Sequence, residues 1–253
     1  MNVDSRTVLT AALLLAAAGG APQAQQQQPA AVQLSALSRE LLCAPASPLV
    51  APRSPIKIAA GREARKTLFG TGDAVVLSGG TNQGVKRGEE YFVRRIVPDK
   101  YTEISPGVNP ISITTVGTVQ IVDVHNDASI AVVTYGCDGV IEGDYLERFD
   151  PAPLPTENRG TTPDFSRPGR LILAADRRQI GAIGQFMVLD RGSDHGLRPG
   201  QMLTVFRPTV GKDGPVATIG TAKVFVVQPE RSVVRIESSI DAVYVGDLVA
   251  IHR

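Results

Sequence analysis

Gln185-Phe-Met-Val-Leu-Asp190-Arg-Gly-Ser-Asp-His195-Gly-Leu-Arg-Pro-Gly200-Gln-Met-Leu-Thr-Val-Phe-Arg207 reads as a strand, a turn with a glycine every four residues, and a second strand. The pattern resumes at Gly220-Thr-Ala-Lys-Val-Phe-Val-Val227 and closes at Val245-Gly-Asp247. Apolar, β-branched runs bounded by Gly, Asp and Ser are the mark of short strands joined by turns. Glycine belongs where φ turns positive or where the backbone folds tightly.

The stretch Asp73 to Asp144 repeats this order. Gly80, Gly84 and Gly88 stand 112 residues before Gly192, Gly196 and Gly200. Gly117, Gly143 and Asp144 stand 103 residues before Gly220, Gly246 and Asp247, and Asp138 shares that offset with Asp241. The offset shortens because the first copy has a longer loop between Arg95 and Gly117. Landmarks in fixed order at fixed spacing mark two copies of one module. Ile56-Lys-Ile-Ala-Ala-Gly61 set against Leu171-Ile-Leu-Ala-Ala-Asp176 extends the match toward the start of each copy.

The chain has 253 residues, room for two small domains. A net charge of +1 gives no electrostatic ground for a nucleic-acid partner or an anionic membrane surface. With 25 Gly, 18 Pro and Val/Ile/Thr-rich runs, strands and turns are favoured over helices. The expected strands are Ala74–Leu77, Glu90–Val97, a hairpin Thr118–Val124 with Ser129–Tyr135, and Tyr145–Phe149, with the same order in the second copy. Five or six short strands per copy suit a small closed or half-closed barrel, which leaves few exposed edges.

Outside the modules, residues 1–24 have the form of a signal peptide. The apolar run Val8 to Ala18 suits the hydrophobic region of a leader and is too short to span a bilayer, so no transmembrane segment is expected after cleavage. Residues 25–55 are low in complexity and then rich in proline, with a short helix expected over Val32–Leu42 followed by an extended strap. The first module is expected over 56–149, a proline-rich linker over 150–169, and the second module over 170–253. The only two cysteines, Cys43 and Cys137, are expected to pair in an exported chain, fastening the strap to the first module. Cys137 takes the place that Ile240 fills in the second copy, and it is expected to face the core.

Asp190, Ser193, Asp194 and His195 evoke a hydrolase, but all four sit in one turn, whereas a triad draws on separate segments. The first copy carries Ser78, Thr81, Asn82 and Gln83 there, and turn chemistry accounts for such residues directly. No catalytic residue is assigned. His125, His195 and His252 lack ligand spacing, and Asp144 and Asp247 read as turn aspartates bonding local N–H groups, so neither metal nor cofactor is expected. Arg94-Arg95 and the Arg62, Arg65, Lys66 group read as solvated strand and loop edges.

Leu68-Phe-Gly-Thr-Gly-Asp73, the Asp190–Gly200 turn and Val245-Gly-Asp247 resemble the C-terminal region of many bacterial peptidoglycan-binding LysM-domain proteins. The same turn with a terminal Gly-Asp is similar to the C-terminal module of the flagellar T-ring assembly protein and, more distantly, to the tandem barrels of the periplasmic rod-shape scaffold protein. These resemblances imply two tandem SH3-like barrels in the cell envelope, used for assembly and contact. Residues 25–67 lack the helix-pair pattern of a LysM module, and the chain has no Trp for sugar stacking. The expected function is therefore a non-catalytic structural or adaptor protein of the periplasm or outer envelope, with an envelope protein as partner. The alternative is a module binding peptidoglycan or another glycan.

Overall fold

Alternating burial along the strands builds two cores. The computed structural model describes residues 34–46, 54–63, 65–98, 111–156, 162–175, 178–209 and 214–252. The expected leader over residues 1–24 lies outside these, as do the glutamine run and nearly all of the loop from Pro98 to Pro110. The architecture is all-β, with one short α-helix, α1 (Ala36–Leu42), and single turns of 3-10 helix among the described residues.

The first body comprises β1 (Ile58–Gly61), β2 (Ala74–Leu77), β3 (Glu90–Pro98), β4 (Ile111–Val124), β5 (Ser129–Gly136) and β6 (Tyr145–Arg148). They form one sheet in the order β1-β2-β5-β4-β3-β6 with every pairing antiparallel. The sheet curls until its ends meet at a single bridge, Lys57 opposite Tyr145. There the Leu146 N–H donates to Ile56 O at 3.0 Å and the Ile58 N–H to Asp144 O at 2.8 Å. The end strands thus satisfy part of each other's edge. Along β5, Ser129, Ala131 and Val133 point inward and are buried, and the residues between them are not. Their core partners include Val75, Val119 and Ile121. The period of two, read as a strand signal, is this half-buried surface.

The second body comprises β7 (Pro163–Ala174), β8 (Ile180–Gly181), β9 (Phe186–Leu189), β10 (Met202–Pro208), β11 (Val216–Val227), β12 (Ser232–Ser239), β13 (Val243–Tyr244) and β14 (Leu248–His252). Six of these close a barrel in the order β10-β11-β12-β9-β7-β14, while β8 and β13 pair as a ribbon. All of β9 is buried. Met187 and Leu189 join the barrel core, and Phe186 and Val188 are covered from outside.

Two expectations change. The stretch read as linker to residue 169 already belongs to the barrel, because β7 starts at Pro163. Pairing with β14 jumps from Asp164 to Gly169 while the partner moves only from Ile251 to Val249. Prolines are tolerated at such a bulge and at a strand's first residue, where no ladder N–H is needed. Phe165, in the bulge, sets its ring edge-on to Phe206 at 4.9 Å between centroids. The second change concerns Cys137. Neither it nor Ile240 faces the core: Ile240 is 86% exposed and Cys137 is half-buried. Both lie in the turn after a strand, where the period of two no longer assigns a face.

The disulfide joins Cys43 to Cys137 as expected. Helix α1 is capped by Ser35, whose hydroxyl accepts the Ser38 N–H at 3.1 Å, and it ends three residues before Pro45. Seven residues are too few for a helix stable by itself. Its stability comes from packing of Leu37, Leu41 and Ala44 against Phe186, Phe225, Val226 and Val233 of the barrel. The strap therefore lies against the second body and is covalently tied to the first.

Candidate interaction surfaces

The two glycine-spaced turns share one geometry. Gly80 and Gly192 have nearly equal backbone angles, and each is followed by one turn of 3-10 helix, Thr81–Gln83 and Ser193–His195. A Cβ on Gly80 would stand 2.0 Å from His125 O, and one on Gly192 2.0 Å from Gln228 O. Gly84 and Gly196 end these helices at φ 79 and 84, and Gly88, Gly143, Gly200 and Gly246 also have positive φ. At Gly117 and Gly220 the neighbouring strand passes too close for a side chain, with Tyr135 O and Ser238 O at 2.5 and 2.0 Å from an added Cβ. Sequence alone located each of these positions without saying which needed space and which needed the left-handed conformation.

The residues that evoke a hydrolase serve this turn. His195 Nδ1 accepts the Gly192 N–H at 3.2 Å, in the role that Gln83 Oε1 plays for the Gly80 N–H at 2.7 Å. Asp190 Oδ1 accepts the Arg170 N–H at 2.6 Å. The Ser193 and Asp194 N–H groups donate to Gln228 O and Pro229 O, each at 2.9 Å, which stitches the turn to the next hairpin. His125 is mostly exposed beside Asp123, and His252 Nε2 meets the Thr204 hydroxyl at 2.8 Å. Among the described residues no three His, Cys, Asp or Glu side chains converge as metal ligands would.

Asp144 and Asp247 do bond the N–H groups of their own turns, at Ile141 (2.9 Å) and Tyr244 (2.7 Å). Each also grips an arginine: Arg95, expected at a solvated edge, and Arg207, to which the sequence assigned no role. Arg95 donates Nε and Nη2 to the two oxygens of Asp144 at 2.7 and 2.8 Å, and Arg207 does the same to Asp247 at the same distances. Each guanidinium also reaches a carbonyl, Gly139 O at 2.8 Å or Ala242 O at 3.1 Å, and a second aspartate, Asp138 or Asp241. The paired fork suits Arg and no other side chain. Hydrogen bonding to the buried carboxylate holds both guanidinium groups above their ordinary range. The signal was present in the chain, since Arg95 and Arg207 share the 112-residue offset of the glycines. Arg94 also departs from the solvated-edge reading. It is mostly buried, stacks 4.4 Å from the Phe92 ring centroid, and pairs with Glu147 at 3.3 Å. Burial lowers its guanidinium from the ordinary value. In the other group, Lys66 pairs with Asp73 at 2.6 Å and Arg65 is exposed.

What remains for contact is shallow. A cleft of about 530 Å³ lies beside Lys57, Arg95 and Tyr145, and one of about 550 Å³ beside Arg65, Leu68 and Phe69, with Ile141 and Glu142 lining both. Leu68 and Ile141 project outward in the first body, as Ile180 and Tyr244 do at the matching positions of the second. Arg207 lies 5.1 Å from the Tyr244 ring centroid. A third cleft, about 420 Å³, runs along the strap between Leu41, Phe92, Pro151 and Val226. No described helix is long and apolar enough to cross a membrane. Compared with known proteins, the chain matches no family model, and no curated protein matches its sequence.

Proposed function

We propose that this protein is an exported, non-catalytic structural or adaptor protein of the cell envelope, working through contacts with another envelope protein. The observation that carries the reading is the strap. A helix packed on one β-body and joined through Cys43–Cys137 to the other makes a stapled two-body unit. Such a staple suits an oxidising compartment. The conspicuous His195 and Asp190 side chains accept backbone N–H groups around the turn, and the clefts are shallow and open, a form suited to protein contact rather than to enclosing a substrate.

The test is to sediment the oxidised mature protein with washed peptidoglycan sacculi at physiological salt, and in parallel to cross-link it in the intact envelope. A discrete protein adduct without saturable pelleting is the expected result. Saturable pelleting without an adduct overturns the adaptor reading in favour of a wall-binding module.

A further inference from the structure

The two bodies differ most where the strap lies. In the first, the strap adds to the edge of β4. The Ala46 N–H donates to Ile113 O at 3.1 Å, and the Ile113 N–H donates to Ala46 O at 2.8 Å. Three residues earlier, Cys43 is bonded to Cys137. Around this contact Ile113 is 5% exposed and Thr115 1%.

The 103-residue offset carries Ile113, Thr115, Val116 and Cys137 onto Val216, Thr218, Ile219 and Ile240. The backbone agrees. Ile113 lies opposite Ile96 and Val216 opposite Pro208, and both ladders slip at the equivalent place, Val116 and Ile219. The Cys137 N–H donates to Val116 O at 3.0 Å, and the Ile240 N–H to Ile219 O at 2.8 Å. Yet among the described residues no strand or bridge lies along the outer edge of Val216–Thr218. Val216 is 48% exposed and Ile240 86%, and Thr218 is exposed as well. Pro208, opposite Val216, has no N–H to give it, so the polar groups of Val216 point outward as those of Ile113 do. Unpaired strand groups beside exposed apolar side chains are a template for an added strand.

We propose that the edge Val216–Thr218, with Ile240, is a strand-addition site for an extended segment of a separate protein. The first body shows what such a segment is like. It is uncharged and made of small residues around the pairing position, as in Ala44-Pro45-Ala46, and it carries an apolar side chain three residues earlier to cover Ile240. A second copy of this chain has no strap to spare, because its own Ala46 and Cys43 are already held by its own first body. This rests on the adaptor reading and names the edge that serves it.

The test transplants the native tether. In the full mature chain, with the Cys43–Cys137 bond verified by mass, Ile240→Cys is incubated under thiol–disulfide exchange with a synthetic peptide of residues Leu42–Pro48. The control is Ile183→Cys, at a position 59% exposed. Capture at position 240 is expected to exceed the control by about tenfold, a preference of about 1.4 kcal/mol. Val216→Pro, which removes the outward N–H and leaves the ladder to β10 intact, is expected to return capture to the control level. Equal capture at both positions, or capture indifferent to Val216→Pro, overturns the proposal. Disulfide-linked dimers of Ile240→Cys that depend on Val216 overturn it in favour of self-pairing. Failure of the adaptor reading shows separately, as the absence of any protein adduct in the intact envelope.

Discussion

Arg95 and Arg207 show how a single side chain shapes this fold. Asp144 is 2% exposed as a side chain, and Arg95 supplies two of its hydrogen bonds. Removing the arginine leaves a buried carboxylate unpaired, so Arg95→Ala is expected to destabilise by roughly 3–5 kcal/mol, read as a lower urea midpoint. The glycines divide by mechanism. Gly196→Ala meets open space at φ 84 and is expected to cost about 1–2 kcal/mol. Gly192→Ala places its Cβ 2.0 Å from the Gln228 carbonyl oxygen and is expected to cost more, because rigid backbone must move. Thermal melts of the two variants should rank them in that order. Glu89 adds a pH dependence. Burial favours its neutral form, but the Tyr91 hydroxyl (2.8 Å) and the Lys86 N–H (3.0 Å) outweigh that and lower its pKa below 4.5. A depressed carboxyl contributes stability above its unfolded pKa and loses it as pH falls through the folded one. Gln201 fills the same turn position in the second body and accepts the Arg198 N–H at 3.1 Å. Glu89→Gln should therefore keep the turn, and its urea midpoint should fall less than that of the parent chain as pH drops below about 4.5.

At the scale of elements, the strap is the part that depends most on its surroundings. Helix α1 spans seven residues and is held by contacts from both bodies. The Cys43–Cys137 bond spans 94 residues, and in the chain-entropy model a loop of that length is worth about 4–5 kcal/mol. The Cys43→Ser/Cys137→Ser variant should melt at a lower temperature, and its α1 amides should exchange hydrogen faster than those of β4 or β11. Intact mass two units lower before reduction than after would identify the bond.

At the scale of the whole molecule, the described residues belong to one compact unit, although each body has its own core. The strap is the shared element, with Leu41 8% exposed against Phe186 and Phe225, and Glu40 within 3.6 Å of Arg235. Placing a charge there removes a contact worth about 2–3 kcal/mol of buried apolar surface and leaves that charge poorly solvated. Leu41→Asp combined with loss of the disulfide should split calorimetric unfolding into two transitions, while the parent chain unfolds in one.

The sequence by itself determined most of the strands, the turns and the matching of the two bodies, because those follow from local causes, although β4 and β11 begin earlier than expected, at Ile111 and Val216. A period of two places Ala131 and Val133 inward, and glycine is needed wherever φ is positive or a carbonyl crowds the chain, as at Gly84 and Gly80. It also placed the disulfide, since the chain has two cysteines and each has only the other to pair with. Only the tertiary structure decided the rest. Whether Arg95 lies in solvent or grips Asp144 depends on an approach across 49 residues of chain. Whether Ile240 faces the core depends on where its strand ends, and there it stands exposed. Pro163 and Pro168 read as linker because proline disfavours a strand locally, yet closing the barrel gives them a first position and a bulge where no N–H is missed. The same reasoning separates the edge of β4 from that of β11. Their positions in the two copies are equivalent, and among the described residues only the path of a distant strap covers one and leaves the other open.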